Sequence, residues 1–431
     1  MTSQPDTITI PIIGASITGL TTAHSLLSHF TTSNNTTKNK GTKIKILLIN
    51  PTPTFYWAIA APRILTKPTA FTESQYLIPI ADGFTKYSPD VFEFILGRAT
   101  SLDFENKVLN VEECTDAKTS REIKYNYLVI ASGSTPSAAS TEALFPGEGG
   151  EKEIYPFKLS PTSTTTITEA IKSAQTTISS AKRITVIGAG PIGVEIAGEL
   201  GDLITPSSPS SSSEGESRKE ITLISSTPRI LPTLKPSASE TATSLLTNKG
   251  VRVLTDRKVI SVSSKEQGGY ELKLNNGETL ETDIYIPTIG VLPNSSYIPR
   301  EVLDERGWVR VDSELKVEGV EGVYAAGDIT THTQKLSFKA DEMAGVVVGN
   351  LVDDIGNING VGKGGKGRGW WRCGGGGRKT YDEGNDVMMV VPVGTSGGTG
   401  QAFGWVLVSF MVWLAKGRDY FIWKAKGYVF K

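Results

Sequence analysis

Twice in this chain a short apolar run ends in a glycine-bearing turn, a helical pattern follows, and a second apolar run closes the unit. Residues 8–13 (ITIPII) lead into Gly14, and Leu20, Ala23, Leu26 and Leu27 then fall on one helical face before residues 44–49 (IKILLI). Residues 184–187 (ITVI) lead into Gly188, a helix is expected over 194–203, and residues 221–224 (ITLI) complete the second unit. Strand, helix and strand in that order favour parallel pairing, because the crossover helix returns the chain to the same edge. The expected class is α/β with two Rossmann-like domains and a smaller C-terminal region, with one larger doubly wound sheet as the alternative. Residues 127–131, 285–289 and 323–326 read as further strands, and 270–274 as one arm of a hairpin turning at Asn275-Asn276-Gly277. Three stretches read as excursions: 31–42, the Ser/Pro-rich 205–217 and the glycine-rich 356–377.

The turns carry the chemistry. Gly14-Ala15-Ser16-Ile17-Thr18-Gly19 stands where a dinucleotide fingerprint belongs, since the backbone must approach a pyrophosphate seated on a helix N-terminus. Ser16 replaces the middle glycine. Asn50 stands where an acidic residue commonly meets a ribose hydroxyl. Gly188-Ala189-Gly190-Pro191-Ile192-Gly193 has all three glycines, and Ser225 with Arg229 follows its second strand. An acidic residue there would repel a 2′-phosphate, whereas Ser225 and Arg229 would accept one. Arg229 is equally readable as a solvated loop charge. Gly327-Asp328 ends a strand and offers a carboxylate to a ribitol chain.

Composition excludes several classes. The 44 basic and 45 acidic residues nearly cancel, which gives no electrostatic reason to expect nucleic acid as a partner. Cys114 and Cys373 are the two cysteines, far apart, so neither a disulfide framework nor a CxxxxC redox pair is expected. No His/Cys cluster has metal-ligand spacing. The N-terminus lacks a signal-peptide pattern, and Thr2 excludes N-myristoylation. No apolar run reaches the roughly 18–20 residues a spanning helix needs, so the expectation is a cytoplasmic protein.

Together, 14–19, 55–63 (FYWAIAAPR), 127–133 (YLVIASG), 188–195, 286–290 (IPTIG), 323–328 and 400–420 resemble the two-dinucleotide-binding flavoprotein oxidoreductases. Within them the chain resembles the apoptosis-inducing-factor-like group, which includes the ferroptosis-suppressor NAD(P)H–quinone reductases. The resemblance implies FAD held by Gly14, Ala15, Ser16, Arg63, Ala99, Ser132, Gly133 and Asp328, with Ser16 and Asn50 as departures from the family pattern; the reading of the turn adds Gly19 and Asn50 as candidate contacts. The resemblance implies NADH or NADPH held by Gly188, Gly190, Gly193 and Gly290, to which the reading of the residues adds Ser225 and Arg229. The domains it implies are FAD-binding over 1–160 and 286–345, NAD(P)H-binding over 161–285, and C-terminal over 346–431. It also places Glu195 near nicotinamide and flavin, and Lys335 where a cation meets the negative charge of the reduced flavin. Each has a plainer reading: a carboxylate in a first helical turn, favoured by the macrodipole, and a surface lysine before a helix over 336–348.

The implied activity is electron transfer from NAD(P)H through flavin to a small acceptor, a quinone. The alternatives are a redox-gated cell-death or interaction protein and a flavin reductase with a protein or oxygen acceptor. Residues 402–415 (AFGWVLVSFMVWLA), flanked by Lys416, Arg418 and Lys424, suit peripheral contact with a membrane surface. They are equally readable as core packed on the flavin domain.

Overall fold

The computed structural model describes residues 7–33, 43–114, 119–137, 166–204, 219–358 and 378–431. The expectation for 205–217 lies outside these residues, as do residues 34–42 of the 31–42 stretch and residues 359–377 of the 356–377 stretch. Two separate parallel sheets are present, which resolves the choice between two units and one large sheet. In the first, the strands run in the order Val323–Ala325, Leu128–Ile130, Thr7–Ile13, Lys43–Asn50 and Phe92–Asp103, all parallel. Val108–Glu113 and Ser120–Lys124 extend it antiparallel. In the second, the order is Arg252–Leu254, Glu220–Ile224, Arg183–Ile187 and Ile284–Pro287, again parallel.

Apolar runs without alternation make such strands because both faces are covered. Ile10, Ile12, Leu48, Val129 and Ile130 are fully buried. The helix Ile17–Ser33 and the long helix Ser337–Ile358 pack together against the first sheet, where Thr21 Oγ1 donates to Asp341 Oδ1 at 2.7 Å. The antiparallel strands Val259–Ser264, Tyr270–Leu274 and Thr279–Thr282 cover the second sheet through Val262, Leu272 and Leu274. Ser134–Pro136 pairs antiparallel with Val291–Pro293 and ties the two units at their shared end.

Several boundaries differ from the sequence expectation. The second-unit helix spans Pro191–Gly201, three residues earlier, because Pro191 occupies its first turn, where a missing N–H costs nothing. The expected 31–42 loop begins later, since the first helix continues to Ser33. The helix expected over 336–348 continues to Ile358 and absorbs the start of the glycine-rich stretch. The C-terminal region folds as a small antiparallel sheet, Met389–Pro392, Gly398–Ala402 and Trp405–Val406, followed by short helical turns. Its end returns to the first unit. Trp57 Nε1 donates to Tyr420 O at 2.9 Å, and His24 Nε2 lies 2.8 Å from Val429 O.

Candidate active site

The first glycine turn, the end of Leu128–Ile130 and the end of Val323–Ala325 converge at one edge of the first sheet. Gly14 has φ +104, and a Cβ there would stand 2.3 Å from Ala131 O and 3.2 Å from the Ser132 Cα. The turn therefore needs glycine for its backbone angle and for this close approach. A Cβ at Gly19 would meet Gly14 O, so the helix lies directly against its own turn. Ala15 is buried, and Ser16 is exposed at the helix N-terminus. Gly327 leaves room for Thr18 Oγ1, and Asp328 Oδ2 accepts from Ser134 Oγ at 3.0 Å. Gly133 sits between, with φ +66. Ser132 Oγ donates to Asn294 O at 2.9 Å.

Asn50 acts within the turn. Its Oδ1 accepts from Ala15 N at 2.9 Å, and its amide nitrogen donates to Thr52 O and Thr52 Oγ1. Both amide hydrogens are thus spent on Thr52, and Asn50 is a strut for the fingerprint turn. Ala99 is core, packed with Ile13 and Ile49, so a ligand contact there would have to run through main chain. Arg63, placed by the resemblance among the flavin contacts, is 4% exposed and braced elsewhere. Its Nε and one terminal nitrogen donate to Glu199, and its terminal nitrogens also reach Gly417 O and Arg418 O.

The second turn repeats the geometry. A Cβ at Gly193 would meet Gly188 O at 1.9 Å, the same close helix–turn contact. Gly188 packs on Thr288, whose Oγ1 donates to Gly188 O at 2.8 Å. Gly190, the N-cap of the helix Pro191–Gly201, has nothing within 4 Å of where its Cβ would be, and the same holds at Gly290. Both positions are open, and at Gly190 the opening lies at a helix N-terminus, which favours an anion. Ser225 is 2% exposed, with its hydroxyl 2.9 Å from Thr227 Oγ1, so it supports the loop from inside. Arg229 is half-buried and donates to Pro232 O at 2.9 Å. A cavity of about 360 Å³ lies at the opposite ends of these strands, lined by Arg183, Glu220 and Arg252 among others, away from the glycine turn.

Glu195 does not lie in the first helical turn, because that turn begins at Pro191. The macrodipole reading therefore gives way to a specific partner. Glu195 Oε1 lies 2.5 Å from Lys416 Nζ, and both side chains are largely buried. Burial pushes the Glu195 carboxyl up, opposed by Lys416. One turn further on, Glu199 is fully buried and receives Arg63, Lys67 and the Tyr420 hydroxyl. Asp202 completes the row. Burial pushes its carboxyl up, but hydrogen bonds from Lys249 and Lys67 outweigh this and hold it below the usual carboxylate range. Sequence reasoning missed Lys416, Glu199 and Tyr420. A second signal was there in retrospect, since Glu195 and Glu199 are four residues apart on a buried helix and need cations.

Lys335 is half-buried. Its ammonium donates to Thr330 O at 2.6 Å and lies 4.1 Å from the centroid of the Trp308 ring. Burial lowers its pKa, and Asp328, Glu383 and Asp304 oppose the fall. The surface-lysine reading thus does not describe it, and it shares a charged neighbourhood with Asp328.

Residues 403–414 present an apolar face to solvent. Phe403, Trp405, Val408, Phe410, Met411 and Leu414 are each more than half exposed, from 52% to 78%. Only Val412 of this stretch is fully buried, so most of the segment is not core. No helix among the described residues is long and apolar enough to cross a membrane.

The pattern of the family described as pyridine nucleotide-disulphide oxidoreductase matches residues 8–344. Oxidoreductase ptaL of Pestalotiopsis fici is 39% identical over 74% of this chain and 76% of its own. Ferroptosis suppressor protein 1 of Xenopus laevis is 25% identical over 99% of this chain and 97% of its own. The solved sulfide:quinone oxidoreductase of Aquifex aeolicus superposes with a TM-score of 0.68 at 16% identity, covering 98% of this chain and 92% of that one. The chain therefore belongs to the pyridine nucleotide-disulphide oxidoreductase family, as a flavoprotein that uses FAD and NAD(P)H.

Proposed function

We propose that this protein is an NAD(P)H–quinone oxidoreductase: NAD(P)H, one proton and a quinone give NAD(P)⁺ and a hydroquinone. In this reading residues 1–160 and 286–345 hold FAD, 161–285 hold NAD(P)H, and the C-terminal region, 346–431, admits the acceptor. FAD, when bound, supplies the relay, accepting hydride from NAD(P)H and passing two electrons on. The chain's own residues orient and tune. The first turn and Asp328 seat one nucleotide, and the open space at Gly190 and Gly290 receives the other. Arg229 supplies a cation for a 2′-phosphate there. Glu195 holds a proton or a charge according to how firmly Lys416 is seated. Lys335 offsets negative charge near Asp328.

The single observation that carries the quinone reading is the position of Lys416. It reaches buried Glu195 on the second-fingerprint helix, from the same turn of chain that bears exposed Leu414, and follows the apolar face from Phe403 to Met411. Lipophilic contact and redox centre are thereby joined by a few residues. That face also suits peripheral docking on a bilayer, where quinones with isoprenoid tails reside. The test is NAD(P)H oxidation by the FAD-loaded protein with and without a short-chain quinone. Quinone-dependent turnover far above the rate with oxygen alone is expected. Equal rates with and without quinone would remove the quinone assignment and leave an oxidase or a protein-directed reductase.

A further inference from the structure

In the loop between Asp328 and the helix Ser337–Ile358, Thr330 is bonded to Gly327 O and Thr331 N to Val309 O, but the stretch from His332 to Leu336, which carries Lys335, holds itself weakly. Lys335 N reaches Thr333 O and Leu336 N reaches Gln334 O, three-residue turns that fix little by themselves. The grip comes from another part of the chain. Glu383 Oε1 accepts from Thr333 Oγ1 at 3.2 Å and from the backbone N–H of Gln334, the two residues directly before Lys335. The Gln334 side-chain amide reaches Gly384 O at 3.3 Å. One residue earlier, the His332 ring stands edge-on to Tyr381, centroids 4.8 Å apart, with Nδ1 3.8 Å from Glu383 Oε2.

Glu383 projects from a segment that is itself anchored. Arg378 is bonded to Glu314, Asp354 and the Tyr324 hydroxyl. Asn350 exchanges hydrogen bonds with Lys379 in both directions, at 2.8 Å each. Tyr381 N donates to Ser313 O at 2.7 Å. The carboxylate is therefore presented from a fixed base, by residues that follow the glycine-rich stretch. Its charge also opposes the loss of the Lys335 proton that burial favours.

We infer that Glu383 is a positioning residue, holding the Thr333–Gln334 backbone so that Lys335 keeps its ammonium beside Asp328. The inference rests on the role given above to Lys335. It makes the 378–384 segment part of the flavin site's support, although nothing in that segment's sequence marks it as such. A carboxylate accepting a backbone N–H grips more strongly than a neutral group, which suits a loop with so few bonds of its own.

The test uses the full-length, FAD-loaded protein and three measurements. These are the rate of flavin bleaching by NAD(P)H in anaerobic stopped flow, the flavin midpoint potential, and amide hydrogen exchange of the peptide covering residues 331–336, the last repeated on the apoprotein. In Glu383→Ala, exchange of that peptide is expected to rise in both forms and bleaching to slow by about 10- to 100-fold, a misplacement effect. The potential should become more negative while the KM for NAD(P)H is unchanged. Glu383→Gln, which can accept the same two hydrogen bonds, should restore the exchange pattern and most of the rate. Should Glu383→Ala fail to load FAD, Glu383→Asp decides, since it keeps the charge and withdraws the carboxylate by one methylene. Wild-type exchange, bleaching rate and potential in the loaded variant would overturn the inference. Lys335→Met, run in parallel, separates the two ideas. If it is impaired while the Glu383 variants are not, only the positioning role falls; if it too behaves as wild type, the lysine role falls and takes Glu383 with it.

Discussion

A buried carboxylate with one cation is a sensitive arrangement, because removing either partner leaves the other uncompensated. Glu195 and Lys416 are 221 residues apart in sequence, and no periodicity links them. Burial already raises the Glu195 carboxyl and Lys416 holds it down. Lys416→Met should therefore raise it further. A carboxyl whose folded pKa is raised destabilises the fold as pH rises through that value, since the unfolded chain gives up the proton first. The loss of stability in Lys416→Met is thus expected to be larger at about pH 8 than at about pH 5, and Glu195→Gln in the same chain should abolish the difference. Denaturant midpoints at the two pH values check this, and an equal loss at both would mean that Glu195 does not titrate against Lys416. His24 makes the opposite case. Burial lowers its pKa from 6.5 to about 4, and its ring stacks on Phe84 while Nε2 holds Val429 O. The unfolded chain binds the proton first, so this contribution is complete above pH 6.5 and is lost as pH falls toward 4. His24→Gln keeps a donor for Val429 and should flatten the fall in melting temperature across that window, relative to wild type.

At the scale of elements, the strand–turn–helix units were legible because each carries several coincident signals, an apolar run, a glycine turn and a helical face. In the folded chain Gly14 lies against Ala131 and Gly193 against its own turn. Arg63 was not legible as a brace, because its partners Glu199 and Gly417 arrive from distant parts of the chain. Strands such as Thr54–Tyr56 and Leu77–Pro79 are three residues long, too short to show a period. The C-terminal segment was legible in composition but not in exposure. Its aromatic residues could have filled a core, and the short turns from Ser409 to Gly417 instead bury Val412 and leave Phe410, Met411 and Leu414 outside. An apolar face of this kind marks a contact surface. Replacing Trp405 and Phe410 by Ser should leave FAD bound and weaken co-sedimentation with phospholipid vesicles by roughly 100-fold, at about 1.5 kcal/mol or more per large side chain withdrawn from lipid. Unchanged co-sedimentation, or its absence in the unaltered protein, would remove the membrane contact and leave the quinone reading standing.

For the molecule as a whole, one row of charges joins three parts. Arg63 and Lys67 come from the first unit, Glu195, Glu199 and Asp202 from the second-fingerprint helix, and Lys416 with Tyr420 from the C-terminal region. Gly198 and Gly394 admit the close contact between that helix and the C-terminal hairpin, where a Cβ on Gly198 would stand 2.6 Å from Gly394 N. The two parallel-sheet units and the C-terminal region are thus clamped along a single helix. In the proposed function, electrons cross this assembly from NAD(P)H to a quinone by way of the flavin. The most direct measurement is a sequential anaerobic titration of the purified holoprotein followed by absorbance. One equivalent of NADH or NADPH should bleach the flavin band, and one equivalent of a short-chain quinone added next should restore it with hydroquinone formed in equal amount. A flavin that bleaches but is not reoxidised by quinone would contradict the acceptor assignment, and a flavin that does not bleach would contradict the claim as a whole.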